Sequence, residues 1–279
     1  MVAARSDGQI TAERKAKTWS FAGPDPFITW LADGIAELAG GATVKSIGIG
    51  SPGPLDIAHG RIVNAANLPP WCHGLHVSDL LSKAAGAPVH LGNDADLAGL
   101  GEHRQGAGRG ARNQVYVTWS TGIGTGLIIE GRLYNGSHGN AGEGGHTVID
   151  PFGPVCNCGQ RGCVEAFAGG RSLEKQTGRS AADLFAAARA GEKAALAIVE
   201  KAAYMLGVGL LNFTNLFDPD VIVVGGGITR SWGLVQRELK RPLLESPFVK
   251  AARRPQVKRA ALGGRVGIVG AVEWARANL

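Results

Sequence analysis

Residues 142–165 constrain the fold most, because this stretch holds three of the four cysteines of the chain together with a histidine. It reads GEGGHTVIDPFGPVCNCGQRGCVE, and His146 is followed by Cys156, Cys158 and Cys163. The glycines among these residues allow the backbone to turn back on itself tightly. One imidazole and three thiolates at these spacings predict a closed, tetrahedral zinc site.

A zinc ion in such a site is structural, because four protein ligands leave no position for an activated water. A disulfide is one alternative, but three clustered cysteines would leave one unpaired, and the sequence shows no secretion signal. Free thiols are a second alternative. Cys72 stands apart from the cluster, and we expect it to be a small buried hydrophobic side chain.

Two acidic residues flank the predicted zinc site. Glu143 precedes His146 by three positions, and Glu165 follows Cys163 by two. One metal would therefore hold together the two backbone segments that carry these carboxylates. Paired hydrogen-bond acceptors on a fixed loop suit a polyhydroxylated ligand such as a sugar.

A longer pattern extends across the same stretch: Gly145-His146, Gly153, Cys156-x-Cys158-Gly159 and Gly162-Cys163-x-Glu165. It resembles the signature of the ROK family of sugar kinases, repressors and open reading frames. The resemblance covers nearly the whole chain. It implies an α/β, actin-like (ribonuclease H-like) two-domain sugar kinase fold with a zinc-stapled loop. It also implies a hexose kinase of the glucokinase type, with ATP, Mg²⁺ and a structural Zn²⁺ as cofactors.

The resemblance implies a division into two domains. Residues 1–105 and 265–279 would form a small N-terminal α/β domain, and residues 106–264 a large α/β domain with the zinc loop and the adenosine site. A chain of 279 residues with 44% hydrophobic residues can bury cores of this size. The sequence has no run of 18 apolar residues and no apolar segment near its start, so we infer a cytoplasmic protein without a membrane span.

The formal net charge is +6, with basic clusters at residues 237–241 and 253–259. Such clusters could contact nucleic acid, but a nucleotide triphosphate also favours a positive field, and most basic clusters are solvated surface. We therefore expect a hexose and ATP as partners, rather than nucleic acid or a membrane. We also expect a homodimer.

The catalytic candidate follows a predicted strand at residues 89–91. Gly92, Asn93 and Asp94 come directly after it, and a predicted helix then runs to about Gln105. Ligands gather at the carboxyl ends of strands in open α/β sheets, although either Asn93 or Asp94 could simply cap the helix. The resemblance implies that Asp94 is the catalytic base, which accepts the proton of the sugar hydroxyl as it attacks the γ-phosphate.

Further sugar contacts are carried over from the family's motifs. Gly53 lies in the turn after a predicted strand at residues 43–50, and Asn67 lies in the segment 61–71, where turn chemistry beside prolines is the alternative. The resemblance implies the following sugar-binding set: Gly53, Asn67, Asn93, Asp94, Glu143, His146 and Glu165.

Two glycine-rich turns are the candidates for nucleotide binding. The turn at residues 120–126 joins a predicted strand at 114–119 to another at 127–130, and a Walker or dinucleotide motif would instead lead into a helix. A glycine hairpin can still present backbone N–H groups to phosphate oxygens. The resemblance implies ATP contacts at Thr121, Gly122 and Gly124. It implies adenosine contacts at Gly226 and Gly227, for which a plain strand-to-helix turn is the alternative.

One motif of the family does not occur in the sequence. The family begins with a strand that ends in Asp-x-Gly-Gly-Thr and binds phosphate, and the first residues here match the strand after it. Either the start codon is misplaced or the chain is a catalytically degenerate relative. We expect the chain as written to be poorly stable and nearly inactive, and the upstream DNA to encode the motif in frame.

A second functional hypothesis is a sugar-binding transcriptional regulator, because the family includes repressors. Those repressors carry an additional helix-turn-helix, and the stretch before Thr43 offers one convincing helix, so a kinase is the first hypothesis. The sequence does not distinguish glucose from mannose or an N-acetylhexosamine as the sugar, since these differ in few contacts. We expect phosphorylation at O6.

Overall fold

The computed structural model describes residues 1–65, 67–251 and 254–279. Its strands are β1 (Val2–Ala4), β2 (Ile10–Glu13), β3 (Ile47–Ser51), β4 (Leu55–Asp56), β5 (Arg61–Ile62), β6 (Val89–Asn93), β7 (Gln114–Trp119), β8 (Ile123–Ile129), β9 (Arg132–Leu133), β10 (Val221–Gly225) and β11 (Gln256–Arg259). Its α-helices are α1 (Pro24–Ala39), α2 (Val77–Ala85), α3 (Asp94–Gln105), α4 (Val164–Ala168), α5 (Gly170–Thr177), α6 (Ala181–Arg189), α7 (Lys193–Phe217), α8 (Trp232–Glu245), α9 (Pro247–Ala251) and α10 (Val266–Ala277).

The chain forms two compact units. Unit 1 consists of Met1–Gln105, Asn135–Ala141 and Gly264–Leu279, and unit 2 consists of Gly106–Tyr134 and Gly142–Gly263. The division drawn from the sequence places Asn135–Ala141 and Gly264 in the second domain instead. The loop Asn135–Ala141 groups with unit 1 because Gly139 lies against the side chain of Ile57, a contact that no sequence periodicity indicates.

Unit 1 is built around two parallel strands. β3 and β6 pair in register from Ile47 opposite Val89 to Ser51 opposite Asn93, so their carboxyl ends lie side by side. Among the described residues β3 pairs with β6 alone, and the β1–β2 hairpin forms a separate sheet. α10 packs on α3 and β3, and the Gln105 amide of α3 donates to the Glu273 carboxylate of α10 (2.6 Å).

The core of unit 1 lies between its small sheets and the helices α1 and α2, which pack on each other. Its buried apolar side chains are Ile28, Leu55, Ile62, Leu75, Val77, Leu81 and Leu91. Because α1, α2 and β6 all contribute to this core, the strand that leads to Asp94 is fixed from several directions.

Unit 2 contains a five-stranded sheet in the order β11-β10-β7-β8-β9. β11, β10 and β7 run parallel, whereas β8 and β9 are added antiparallel. All five residues of β10 are buried, as expected for a parallel strand that is covered on both faces. The core residues Val117, Trp119, Leu184, Leu206, Val224 and Leu239 are fully buried.

Helix α7 is long and apolar enough, by length and composition alone, to cross a membrane. Its side chains Val199, Leu206 and Leu210 are 0% exposed and pack into the core of unit 2, and the helix also packs against α8. A buried core helix passes the same test of length and composition, and the packing of α7 accounts for its apolar sequence.

Candidate functional site

The four predicted zinc ligands come together in unit 2. The ligand atoms of His146, Cys156, Cys158 and Cys163 all lie within 4.8 Å of one another. Nδ1 of His146 is 3.6 Å from Sγ of Cys156, and the Sγ atoms of Cys158 and Cys163 are 3.7 Å apart. Nitrogen and sulfur ligands placed tetrahedrally at zinc bond lengths lie roughly 3.5–3.8 Å from one another. The four side chains therefore fit a zinc ion.

The backbone of this cluster is shaped by tight turns rather than by regular elements. Isolated bridges pair Val148 with Cys163 and Val155 with Arg161. Gly162 has a φ of +72°, and a Cβ at this position would lie 1.5 Å from the carbonyl oxygen of Asp150. A side chain at position 162 would therefore force the two backbone segments apart.

The cysteines of the cluster differ in exposure: Cys156 and Cys163 are buried, whereas Cys158 is exposed. Burial, together with the adjacent thiols of Cys158 and Cys156, raises the pKa of Cys163 to about 12. A thiol with such a pKa keeps its proton at neutral pH, so metal binding would have to release that proton.

Glu165, in the first turn of α4, connects the cysteine cluster to the first glycine turn. Its Oε2 accepts a hydrogen bond from the backbone N–H of Ile123 (2.9 Å), and its Oε1 lies 3.9 Å from Sγ of Cys156. A Cβ on Gly122 would lie 2.4 Å from Oε2. Glu165, which is predicted to bind the sugar, is thus in contact with the turn that holds Gly122, which is predicted to bind phosphate; both lie in unit 2.

The first glycine turn is shorter than the sequence predicts. β8 begins at Ile123 rather than at residue 127, so Gly124 lies inside the strand, opposite Thr118, and only residues 120–122 form the loop. The N–H of Ser120 donates to the carbonyl of Gly122 (3.0 Å). The carbonyls of Ser120 and Thr121 accept from the first N–H groups of α5 (2.9 Å each), which anchors the loop.

The second glycine turn lies beside the first. Gly226 has a φ of +88°, and a Cβ there would lie 2.3 Å from the carbonyl oxygen of Trp119. A Cβ on Gly227 would lie 3.8 Å from Oγ of Ser120. The two turns predicted to bind nucleotide are therefore adjacent, and the close backbone approach explains the glycine at position 226.

Two residues at the second turn were not predicted from the sequence. Arg189, at the end of α6, donates from Nη1 to Oγ of Ser231 in the 3₁₀ turn Gly227–Ser231. Ser231 is buried and α6 packs against this turn. The two residues are 42 positions apart, so no local pattern links them. The only signal is the pair of hydroxyl residues, Thr229 and Ser231, that follow the glycines.

The catalytic candidate lies in unit 1, at the paired ends of β3 and β6. Oδ1 of Asn93 accepts from the N–H groups of Ala95 (2.9 Å) and Asp96 (3.4 Å), so Asn93 caps α3. A Cβ on Gly53 would lie 3.4 Å from Nδ2 of Asn93, which brings these two predicted sugar ligands together. Asp94 is the first residue of α3.

The environment of Asp94 makes its carboxylate more basic. Burial raises its pKa above the ordinary value of an aspartate, and hydrogen bonds from the backbone N–H groups of Ala95 and of Asp94 itself act in the opposite direction. The residue remains exposed to solvent, so water screens part of the effect of burial.

The remaining sugar candidates, Asn67 and Glu143, are both exposed. Asn67 follows Ala66, which lies outside the described residues. The backbone carbonyl of Glu143 accepts from the N–H of His146 (3.0 Å). The residues predicted to bind the sugar are thus divided between the two units. Unit 1 contains Gly53, Asn67, Asn93 and Asp94, and unit 2 contains Glu143, His146 and Glu165.

The basic cluster at residues 237–241 is partly neutralised by acidic neighbours. Arg237 and Arg241 both form ion pairs with Glu238, at 2.9 and 2.8 Å. The second basic cluster begins with Arg253, which lies outside the described residues. Ion pairs of this kind are common on protein surfaces and do not by themselves indicate a binding site.

The chain is similar to proteins of one family over nearly its whole length. A model of the ROK family matches residues 2–278. A glucokinase of Thermotoga maritima is 33% identical over 285 residues, which cover 95% of this chain and 90% of the relative. A ROK hexokinase of Thermus thermophilus matches with a TM-score of 0.84 and 35% identity, over 92% of this chain and 88% of that one. A ROK family glucokinase of Streptomyces griseus, in complex with glucose and AMPPNP, matches with a TM-score of 0.79 and 29% identity, over 99% and 95%.

Proposed function

Because this chain belongs to the ROK family, we propose that it transfers the γ-phosphate of ATP to a hexose, glucose or a related hexose or N-acetylhexosamine, at O6. One contact supports this proposal most: the Glu165 carboxylate bonds to the backbone of the glycine hairpin at Ile123. In phosphoryl transfer the attacking hydroxyl must approach the phosphate in line. The contact between Glu165, predicted to bind the sugar, and a turn predicted to bind phosphate supports a site in which the two reactants meet.

Asp94 acts as the general base in this proposal. Its raised pKa suits it to accept the proton of the sugar hydroxyl, because catalytic efficiency increases as the pKa of a base nears the working pH. Asn93 provides the helix cap, which leaves the Asp94 carboxylate available for chemistry. The rest of the rate comes from positioning and charge neutralisation.

ATP binds at the two adjacent glycine turns. Gly226 and Gly227 contact the adenosine, and Thr121, Gly122 and Gly124 contact the phosphates. A Cβ at position 122 would collide with the Glu165 carboxylate and one at position 226 with the Trp119 carbonyl, so glycine preserves the shape of both turns. Mg²⁺ supplies positive charge to the phosphates when bound.

A structural zinc ion bound by His146, Cys156, Cys158 and Cys163 orders the loop that carries Glu143 and Glu165. The clustering of the four ligand atoms within 4.8 Å of one another supports this part of the proposal. His146 would be both a zinc ligand and a neighbour of the sugar. The metal therefore affects sugar affinity without taking part in phosphoryl transfer.

The proposal extends to a cytoplasmic protein that acts as a homodimer, without a nucleic acid or membrane partner. The buried packing of α7 supports the absence of a membrane span. Sedimentation equilibrium of the purified chain would measure its mass in solution, and a single-chain mass would contradict the dimer.

The test of the activity is a panel of hexoses and N-acetylhexosamines incubated with the chain, ATP and Mg²⁺. We expect phosphate on one or a few of the sugars, identified at O6 by ³¹P NMR. A parallel assay measures sequence-specific DNA binding with and without each sugar. Sugar-sensitive DNA binding without phosphoryl transfer would support the regulator hypothesis and contradict the kinase.

A further inference from the structure

The three thiols of the zinc-ligand cluster have different neighbours. Sγ of Cys158, the exposed thiol, lies 3.7 Å from Sγ of the buried Cys163. Sγ of Cys156 lies within 4.8 Å of both other sulfurs, and it also contacts Nδ1 of His146 (3.6 Å) and Oε1 of Glu165 (3.9 Å). One thiol of the cluster is thus open to solvent and has a second thiol next to it.

We propose that Cys158 and Cys163 form a modification site at which hydrogen peroxide oxidises the two thiols to a disulfide, and that this disulfide expels the metal and weakens sugar binding. The effect on sugar binding rests on the proposed function, whereas the disulfide and the metal release do not.

The reaction is a two-electron oxidation in two displacement steps. A metal-bound cysteine is a thiolate and keeps a nucleophilic electron pair. Sγ of Cys158 attacks one oxygen of the peroxide and the O–O bond breaks, which leaves a sulfenic acid and one hydroxide. Sγ of Cys163 then attacks the sulfur of Cys158, the S–O bond breaks, and a second hydroxide leaves. The two thiolates lose two electrons, the peroxide gains them, and both hydroxides take up protons to become water.

Access selects Cys158 as the sulfur that is oxidised first, because a dissolved peroxide must reach the thiolate. Cys163 is the second thiol because its Sγ lies 3.7 Å from that of Cys158, whereas Sγ of Cys156 already contacts His146 and Glu165. The two sulfurs must approach from 3.7 Å to a bond length of about 2.05 Å. Gly159 and Gly162, both with positive φ, lie between the two cysteines, and the wide φ/ψ range of glycine allows the intervening backbone to adjust.

A disulfide at this position removes two of the four ligands. His146 and Cys156 alone hold a metal weakly, since a structural zinc site depends on all four ligands. Glu165 follows Cys163 by two residues, so the movement of Cys163 also disturbs the bond from the Ile123 N–H to Glu165.

The experiment treats the zinc-loaded full chain with hydrogen peroxide. A chromogenic chelator follows released zinc, and mass spectrometry of proteolytic fragments maps disulfides. We expect one zinc released per disulfide, a link between Cys158 and Cys163, and reversal by a thiol reductant with added zinc. The matched variant is Cys158→His, which keeps a fourth zinc ligand but cannot form the link; we expect zinc release at least tenfold slower. Cys72→Ser, outside the cluster, should behave as the parent chain.

Three results would overturn the proposal: a link that involves Cys156, zinc release without a disulfide, or release from Cys158→His at the parental rate. If the purified chain binds no zinc and still forms the disulfide, the proposed release of metal is overturned. Calorimetry with the preferred hexose gives the last readout, and we expect at least a tenfold loss of sugar affinity after oxidation. Unchanged affinity would overturn the effect on the site, whereas a reduced chain that binds no sugar would contradict the proposed function instead.

Discussion

Asp94 and Glu165 are both carboxylates with proposed roles around a sugar, but the structure holds them in different ways. Asp94 lies where β6 meets α3, and Asn93 caps the helix beside it. Glu165 follows a loop in which bridges, tight turns and the His146 cluster replace regular strands. The buried apolar cluster around that loop consists of Cys156, Cys163 and Ala166 alone among the described residues.

In the proposed function, this difference means that two parts of the site are held by separate means. Strand pairing and a helix cap hold the proposed base. The hydrogen bonds that form them need no cofactor. The loop that carries Glu165 has a small buried apolar cluster of its own, and in the proposed function a metal supplies the rest of its order. Changes that remove the metal should therefore affect the second region and leave the first intact.

The largest effect is expected from Asp94→Asn. Loss of the base should lower kcat by about 10²- to 10⁴-fold, while sugar affinity changes little. Steady-state kinetics and calorimetry measure the two quantities. The control is Asp79→Asn, which removes an exposed carboxylate from the first turn of α2; it should leave kcat unchanged. An Asp94→Asn variant with parental kcat would eliminate Asp94 as the base.

The pH dependence of the parent chain sharpens this prediction. The base must be deprotonated, so kcat/KM should fall as pH decreases through the pKa of Asp94, which is raised by burial. A raised pKa in the folded state also means that the ionised carboxylate destabilises the fold at pH values above that pKa. Asp94→Asn should therefore be at least as stable as the parent at neutral pH, measured by urea denaturation. A clear loss of stability there would contradict this account of the carboxylate.

The next effect concerns the metal. Cys163→Ser should remove the zinc, and sugar affinity should fall by about tenfold or more because the loop with Glu165 loses its order. Elemental analysis and calorimetry check the two parts, and Cys72→Ser serves as a cysteine control outside the cluster. A zinc-free variant with parental sugar affinity would show that the loop orders itself.

A smaller effect is expected from the helix cap. Asn93→Ala should lower the free energy of unfolding by about 0.5–2 kcal/mol, since the N–H groups of Ala95 and Asp96 lose their acceptor. Asn93→Asp keeps an acceptor oxygen and should retain the stability. Equal losses in both variants, measured by urea denaturation, would argue against capping as the cause.

The smallest effect is expected at the second glycine turn. Arg189→Ala removes the hydrogen bond to Ser231 and should raise the KM for ATP by about two- to tenfold, with kcat less affected. Arg189→Lys should recover part of the affinity. Arg179→Ala breaks a surface ion pair with Glu192 and should not change the KM for ATP. A similar rise in both alanine variants would make the effect a general one on surface charge.

The sequence predicted best those features that depend on neighbouring residues. The proposed zinc ligands, His146 to Cys163, lie in one short stretch, and the strand, cap and helix around Asn93 follow each other directly. The start of β8 at Ile123 was missed because the pairing with β7 decides it, and the glycines at 124 and 126 disfavour a strand by propensity.

Contacts between distant residues could not be predicted. The bonds from Ile123 to Glu165 and from Arg189 to Ser231 each join positions 42 residues apart. Their existence depends on how α4 and α6 pack on the sheet of unit 2, which hydrophobic periodicity alone does not specify. The roles of Asn67 and Glu143, both exposed, stay predictions.

Hydrogen exchange of the zinc-loaded chain, before and after a chelator removes the metal, tests the central claim most directly. The claim is that the metal orders the loop around Glu165, whereas strand pairing and a helix cap order the segment around Asp94. We expect the amides of residues 144–168 to lose protection, whereas those of residues 89–105 keep theirs, because strand pairing and the Asn93 cap do not depend on the metal. Protection that is retained in both segments, or lost in both, would contradict the account.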